Sequence, residues 1–179
     1  VGNAIMDLQV QCDDAFLAKS GIEKGIMTLT NEEDQQKILK ALSEHTINYC
    51  SGGSAANTIV GIADMGGTAG YCGKTGADNF GQQYAAELRE IGIHFGAKAS
   101  NEGTGTCVVL ITPDAQRTML TNLGVSATLS KDDIDEDAIA KADYVYIEGY
   151  LFAGESTKEA ALHAIDIANQ CNTKVALTI

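Results

Sequence analysis

The 179 residues include no tryptophan, one proline and 12 basic side chains against 24 acidic ones, a formal charge of −12. Each shortage excludes something. A chain this acidic is repelled by phosphate backbones and anionic lipid surfaces, so nucleic-acid and membrane partners are not expected. One proline leaves no proline-rich linker, while nineteen glycines point to many tight junctions between strands and helices. Cysteine is present without pattern. Cys12, Cys50, Cys72, Cys107 and Cys171 are odd in number and form no Cys-x-x-Cys pair, which argues for free thiols in a reducing compartment rather than a disulfide framework or zinc site. His45, His94 and His163 lack metal-ligand spacing. No apolar run approaches membrane length and no basic-then-apolar leader opens the chain, so it reads as cytoplasmic. The chain starts on Val1 rather than Met and stops inside a strand-like run at Thr178-Ile179, so truncation at both ends is expected.

What is there suits a soluble domain with a real core: 45% apolar and 20% charged residues. The most informative stretch is Cys50-Ser51-Gly52-Gly53-Ser54-Ala55-Ala56-Asn57-Thr58. A β-like run from Thr46 feeds two glycines, which turn the chain at backbone angles other residues avoid and leave the main chain bare. A small-residue helix then runs to Met65 and stops at Gly66-Gly67. Strand, bare turn and helix start present backbone N–H groups to a ligand. Asn57, one turn in, is the candidate polar side chain. The same residues also fit a plain tight turn followed by a satisfied helix asparagine.

In chain order, 1–7 is an apolar run closed by Asp7, continuing into the alternation Leu8-Gln9-Val10-Gln11. Asp13-Asp14 can cap a short helix to Lys19, and 25–30 is a strand candidate. Asn31 caps a helix expected to reach His45, with Ile38, Leu39 and Leu42 on its apolar face. A strand at 69–73 and a helix at 78–92 continue a strand–helix rhythm typical of a parallel sheet. That rhythm breaks at Ile93, where 94–100, 104–112 and 117–123 read as an antiparallel meander belonging, with 9–30, to a small separate sheet. Ser130 and Asp133 form a capping-box pattern for a helix to Ala142. A buried strand at 144–147, a helix at 155–172 and a strand from Lys174 follow. The expected division is an α/β core of residues 1–8, 31–92 and 124–179, and a β-sheet lid of 9–30 and 93–123.

Gly73-Lys74-Thr75 fails as a phosphate loop, because no glycine stands five residues before Gly73 and no apolar helix follows. No Gly-x-Gly-x-x-Gly set follows the first strand, which weighs against a dinucleotide oxidoreductase. Asp7 ends one strand and the glycine turn ends another. If the two are neighbours, Asp7, Gly53 and Asn57 converge. A carboxylate and an amide beside bare backbone suit vicinal hydroxyls, each of which can donate to the acid and accept from the amide. A solvated strand-end acid is the alternative for Asp7. Arg117 either reaches a phosphate or is a surface residue, and the acidic run from Asp132 to Asp137 reads as a solvated helix start.

Together these motifs resemble the PfkB (ribokinase-like) carbohydrate kinase family. The resemblance rests on Gly2-Asn3-x-x-x-Asp7, the glycine motif with Gly66-Gly67, and Gly73 with Gly76-x-Asp78-x-x-Gly81. Thr104-Gly105-Thr106, Arg117 and Glu148-Gly149-Tyr150 follow in the family's order, so it covers essentially the whole chain. The opening motif and the Asp13–Leu17 segment are most similar to the adenosine kinase branch, and Ile59 departs from a usually small position. The resemblance implies a Rossmann-like, mostly parallel sheet with flanking helices and a small β-sheet lid, with the C-terminal part of the core absent. It implies phosphoryl transfer from ATP, with Mg²⁺, to a hydroxyl of a small-molecule nucleoside or sugar, adenosine to AMP being the leading case. Carried over residue by residue, Asn3, Asp7, Gly53, Ser54 and Asn57 would hold ribose hydroxyls, Arg117 would approach phosphates, and Tyr150 or Leu151 would border the base. The family's second signature, a Gly-Ala-Gly-Asp type motif carrying the catalytic base, does not occur before Ile179. The chain is therefore expected to hold the acceptor half of the site and to be inactive alone. A ribose- or fructose-type sugar kinase and a non-catalytic nucleoside- or sugar-binding protein are the alternatives, and a homodimer through the lid is a further expectation.

Overall fold

The computed structural model describes residues 1–96 and 99–178. One continuous run of chain, residues 1–11, links two two-stranded sheets to a five-stranded one. At its start, the Val1 amine donates to Tyr146 O (2.7 Å), Gly2 N–H to Cys72 O (3.1 Å), and Glu148 N–H to Val1 O (3.0 Å). Residues 1–3 thus lie between two parallel strand pairs. On one side is β4 (Gly70–Tyr71) with β5 (His94–Phe95), and on the other β8 (Tyr144–Ile147) with β9 (Lys174–Leu177). The run then passes into β1 (Ile5–Gln11), which belongs to a five-stranded mixed sheet. That sheet is ordered β2 (Met27–Leu29), β7 (Arg117–Asn122), β6 (Gly105–Ile111), β1, β3 (Ile47–Gly52).

The period-2 pattern of β1 decides which way this sheet faces. Met6, Leu8 and Val10 join Val108, Leu110 and Leu120 on the side covered by helices. The cover comes from α1 (Asp14–Lys19, through Leu17), α2 (Glu32–Ala41, with Leu42 just past its end) and α4 (Asn79–Glu90, through Tyr84 and Leu88). Each fully buried Leu or Ile here contributes about 1.5–3 kcal/mol relative to an exposed one. The opposite face carries Asp7 with a smaller cluster of Ile5, Cys107 and Val109, flanked by Ile111, Met119 and Leu123. α3 (Ser54–Asp64) follows β3 directly. A second core gathers Leu129, Ile147 and Leu151 with the alanine face of α6 (Glu155–Cys171) and with Ile139 of α5 (Glu136–Lys141).

Helix starts follow their caps. Asp13, Asn31, Asp78 and Asp135 each accept a backbone N–H three residues on. Several boundaries differ from expectation. α2 ends at Ala41 rather than His45, because Leu42 leaves helical geometry to bury itself in the core. The Ser130–Asp133 capping box forms but opens only a 3₁₀ turn, Lys131–Asp133; the helix proper starts at Glu136 under its own cap. Tyr144 is exposed on the otherwise buried β8. The expected three-stranded meander is a two-stranded one, β6 with β7. After Gly92 (φ +82°) the chain turns back so that His94 N–H meets Ala69 O, and β5 pairs with β4 in the core. The rest of the expected strand at 94–100 falls partly on 97–98, outside the described residues.

The division expected between core and lid also shifts. β1 runs unbroken through residue 8, since no turn residue interrupts it there. β3, placed in the core by its lead into the glycine turn, pairs antiparallel with β1 in the lid sheet. α2 packs on the same sheet, where the Gln35 amide donates to Thr106 O (3.1 Å) and Leu120 O (2.7 Å) of β6 and β7. The lid sheet is therefore larger than its expected share of the chain.

Candidate functional site

The antiparallel β1–β3 pairing puts Ile5 opposite Gly52 and Asp7 opposite Cys50, so the strand end and the glycine turn meet. Both glycines are sterically required. A Cβ on Gly52 would come within 2.5 Å of the Asp7 carboxyl, and one on Gly53, whose φ is +96°, would overlap the Asn3 carbonyl oxygen. Gly53 is also the N-cap of α3 and supplies no side-chain cap, and the first turn of that helix has no acid. The backbone N–H groups there are left for another acceptor.

Asp7 is half-buried on the open face of the lid sheet. Burial pushes its carboxyl up to about 6 from 3.8, against the pull of the Arg117 guanidinium. Two thiols flank it in register. Cys107 accepts from the Thr121 hydroxyl (3.3 Å) and Cys50 from the Gln9 amide (3.2 Å). Burial raises the Cys107 thiol to about 11 and also raises Cys50, so both stay protonated and unreactive at neutral pH.

Glu148 organises the other side of the turn. It stands directly after β8 and is 2% exposed. One carboxylate oxygen accepts from Asn3 N–H (2.6 Å) and Asn3 Nδ2 (3.1 Å); the other accepts from the Ser54 hydroxyl. The strand leader, the helix start and β8 are tied through this one anion. The tie also sets polarity. With their donors given to Glu148, Asn3 and Ser54 have acceptor oxygens left to offer. Side-chain acceptors and uncapped backbone donors around Gly53 together match hydroxyl groups, which need both.

Of the residues singled out in the sequence, Asn3, Asp7, Gly53 and Ser54 come together here. Asn57 is exposed on the first turn of α3, whose Ala55 and Ala56 are buried, and its side chain takes no hydrogen bond among the described residues. Arg117 is exposed at the start of β7 and acts on Asp7 through space. Tyr150 is 60% exposed in the 3₁₀ turn Gly149–Ala153. Leu151 departs from expectation: it is the buried residue of that turn, packed into the α6 core, and has no surface to offer a base. In the sequence Glu148 stands out only as part of the Glu148-Gly149-Tyr150 motif. Its signal was the one Asp7 carries, an acid closing an apolar strand.

The rejected phosphate loop is structural. Lys74 pairs with Asp133 (3.0 Å) and donates to Thr128 O (3.1 Å), and α4 starts only at Asn79, not directly after the motif. Asp78 is likewise structural: besides capping α4 it accepts from Thr104 N–H (2.8 Å) and the Thr104 hydroxyl (2.6 Å) at the root of β6. Among the described residues no group of three His, Cys, Asp or Glu side chains could hold a metal ion. The charges nearest the glycine turn are the carboxylates of Asp7, Glu87 and Glu148. That set fits an uncharged hydroxylated molecule and does not fit a metal-bound triphosphate.

A parallel core crossed by a strand that continues into a lid sheet, with a bare glycine turn at the junction, defines a ribokinase-like α/β protein. The chain belongs to the pfkB family carbohydrate kinases, whose profile matches residues 25–179. It is similar to the adenosine kinase of Sinorhizobium meliloti, with 36% identity and a TM-score of 0.91 over 99% of this chain and 54% of that one. It is equally similar to a probable sugar kinase of Rhizobium etli CFN 42, with 35% identity and a TM-score of 0.90 over 98% and 53%. Among curated proteins, the 5-dehydro-2-deoxygluconokinase of Clostridium perfringens is 35% identical over 144 residues, 77% of this chain and 43% of that protein. The chain spans about half the length of the relatives it matches.

Proposed function

We propose that the intact protein phosphorylates a hydroxyl of a nucleoside or sugar at the expense of ATP, and that this chain supplies the acceptor half of the site. One observation carries the reading: side-chain acceptors (Asp7, Asn3, Ser54) and uncapped backbone donors converge on the Gly52–Gly53 turn. Asn3, Asp7, Gly53, Ser54 and Asn57 hold the hydroxyls and orient the one to be phosphorylated, the positioning share of catalysis. Arg117, on the same sheet face as Asp7, is turned toward the transferred phosphoryl group. ATP and Mg²⁺ are what family membership implies, and in this reading they are held by the part of the relatives' length that this chain does not span.

Adenosine is the leading acceptor. Half-buried Met119 and Ile111 flank the buried Ile5–Cys107–Val109 cluster on the sheet face that carries Asp7, and Tyr150 is exposed two residues after Glu148. An apolar surface next to a hydroxyl site suits a base joined to a sugar. The 35% identity to a sugar acid kinase favours a second reading, a free sugar acceptor. The test is phosphoryl transfer by the intact protein, with ATP and Mg²⁺, across adenosine, inosine, ribose, fructose and 5-dehydro-2-deoxygluconate. Preference for adenosine supports the first reading, and turnover only with a free sugar or sugar acid moves the function to the second. Binding without any turnover would make the protein a non-catalytic sugar binder.

A further inference from the structure

β3 is an outer strand of the lid sheet, so among the described residues one side of its backbone has no neighbouring strand. At its last two residues, side chains of α4 take that place. Ser51 donates both its N–H (2.8 Å) and its hydroxyl (2.6 Å) to one oxygen of Glu87, whose other oxygen accepts from Gln83 Nε2 (2.7 Å). One residue on, Gly52 C=O accepts the hydroxyl of the fully buried Tyr84 at 2.9 Å. Burial alone would raise the Glu87 carboxyl, but the hydrogen bonds from Ser51 and Gln83 outweigh it and hold the group below its ordinary range, so it is an anion at neutral pH.

These bonds sit where the chain most needs outside support. Gly52 and Gly53 have no side chains to lock by packing, and a glycine backbone has the widest freedom of any residue. A binding geometry carried by such a turn has to be imposed by its surroundings. We propose that Glu87 is a positioning residue for acceptor binding. It does not touch the ligand. Its carboxylate fixes Ser51, and so sets the direction of the Gly53 backbone and the seat of the Asp7 carboxyl against Gly52. The inference rests on the acceptor-site reading given above.

The test uses the intact protein as wild type and as Glu87→Ala, Glu87→Gln, Ser51→Ala and Ser51→Ala/Glu87→Ala. Calorimetric titration with adenosine and with ribose is combined with steady-state kinetics and amide hydrogen exchange over residues 51–55. Glu87→Ala is expected to weaken acceptor binding about tenfold or more, the range for losing a hydrogen-bonded charge. KM for ATP stays unchanged, kcat at saturating acceptor stays within about twofold, and exchange at 51–55 speeds up. Adding Ser51→Ala to Glu87→Ala should cost little more, and Glu87→Gln, which keeps one acceptor oxygen, should recover much of the loss. Unchanged acceptor affinity with a lowered Tm would overturn the proposal and leave Glu87 as a cap on a sheet edge. If the wild type binds neither ligand, the acceptor-site reading fails by itself. Exchange at 51–55 then still decides the proposal, because an unchanged rate in Glu87→Ala would sink it.

Discussion

At the scale of single residues, the half-buried Asp7 and the buried Glu148 serve the glycine turn in different ways. The Asp7 carboxyl rises from 3.8 to about 6 on folding, so folding favours its protonated form. Its contribution to stability is present below pH 3.8, is lost as pH rises toward 6, and above that becomes a cost of at most about 3 kcal/mol, at 1.36 kcal/mol per unit. Asp7→Asn should therefore raise Tm at pH 7.5, leave it nearly unchanged at pH 3.5, and abolish acceptor binding. Thermal unfolding at the two pH values with calorimetric titration checks all three. A stable but binding-dead variant is the signature of a site that trades stability for function. Glu148 accepts from three donors, Asn3 N–H, Asn3 Nδ2 and the Ser54 hydroxyl. Glu148→Ala strands the Asn3 and Ser54 donors beside Gly53 and should cost about 2–4 kcal/mol of stability along with acceptor binding, as read by denaturant unfolding. Glu148→Gln, with one acceptor oxygen, should fall between the two.

At the scale of elements, α3 contains two glycines' worth of contrast with its own cap. Gly53→Ala puts a Cβ into the Asn3 carbonyl at a φ of +96°, and is expected to lose at least about 2 kcal/mol and to displace the turn. Gly61, inside the same helix, has open space around its missing Cβ, so Gly61→Ala should stabilise by about 0.5–1 kcal/mol. Paired urea titrations of the two variants separate a glycine the site needs from one the helix would be better without. α4 shows how one element serves two roots of the lid sheet: its cap Asp78 grips Thr104 before β6, and its middle turns grip Ser51 and Gly52 at the end of β3.

At the scale of the whole molecule, the lid sheet ends in the short strand β2, where Met27 is 36% and Leu29 60% exposed. An exposed apolar edge strand is an open template for pairing. We expect the intact protein to dimerise through it and Leu29→Lys to shift sedimentation toward monomer. The helices and their caps were readable from local signals, because a cap or a 3.6-residue period is settled within a few neighbours. So was the glycine turn, since a Gly-Gly before a small-residue helix is a local feature, whereas Asp7 reads as closing a strand that in fact continues past it to Gln11. What was misread depended on partners far along the chain. Thr46–Cys50 reads the same whether it stands in the core or the lid, and only its pairing with β1 places it. His94–Phe95 reads as lid until the turn at Gly92 lays it beside β4. Leu151 and Tyr150 are adjacent apolar residues whose exposure was decided by which one met the α6 core.

The acidic, linker-free character of the chain, most element types and the bare turn follow from composition, period and backbone freedom alone. Only the tertiary structure decided that β1 crosses from core to lid, that Glu148 ties Asn3 to Ser54, and that Glu87 and Tyr84 hold the turn. Those contacts join residues 32 to 145 positions apart, and their energy depends on burial and on which donors are already taken, quantities that do not exist until the chain has packed.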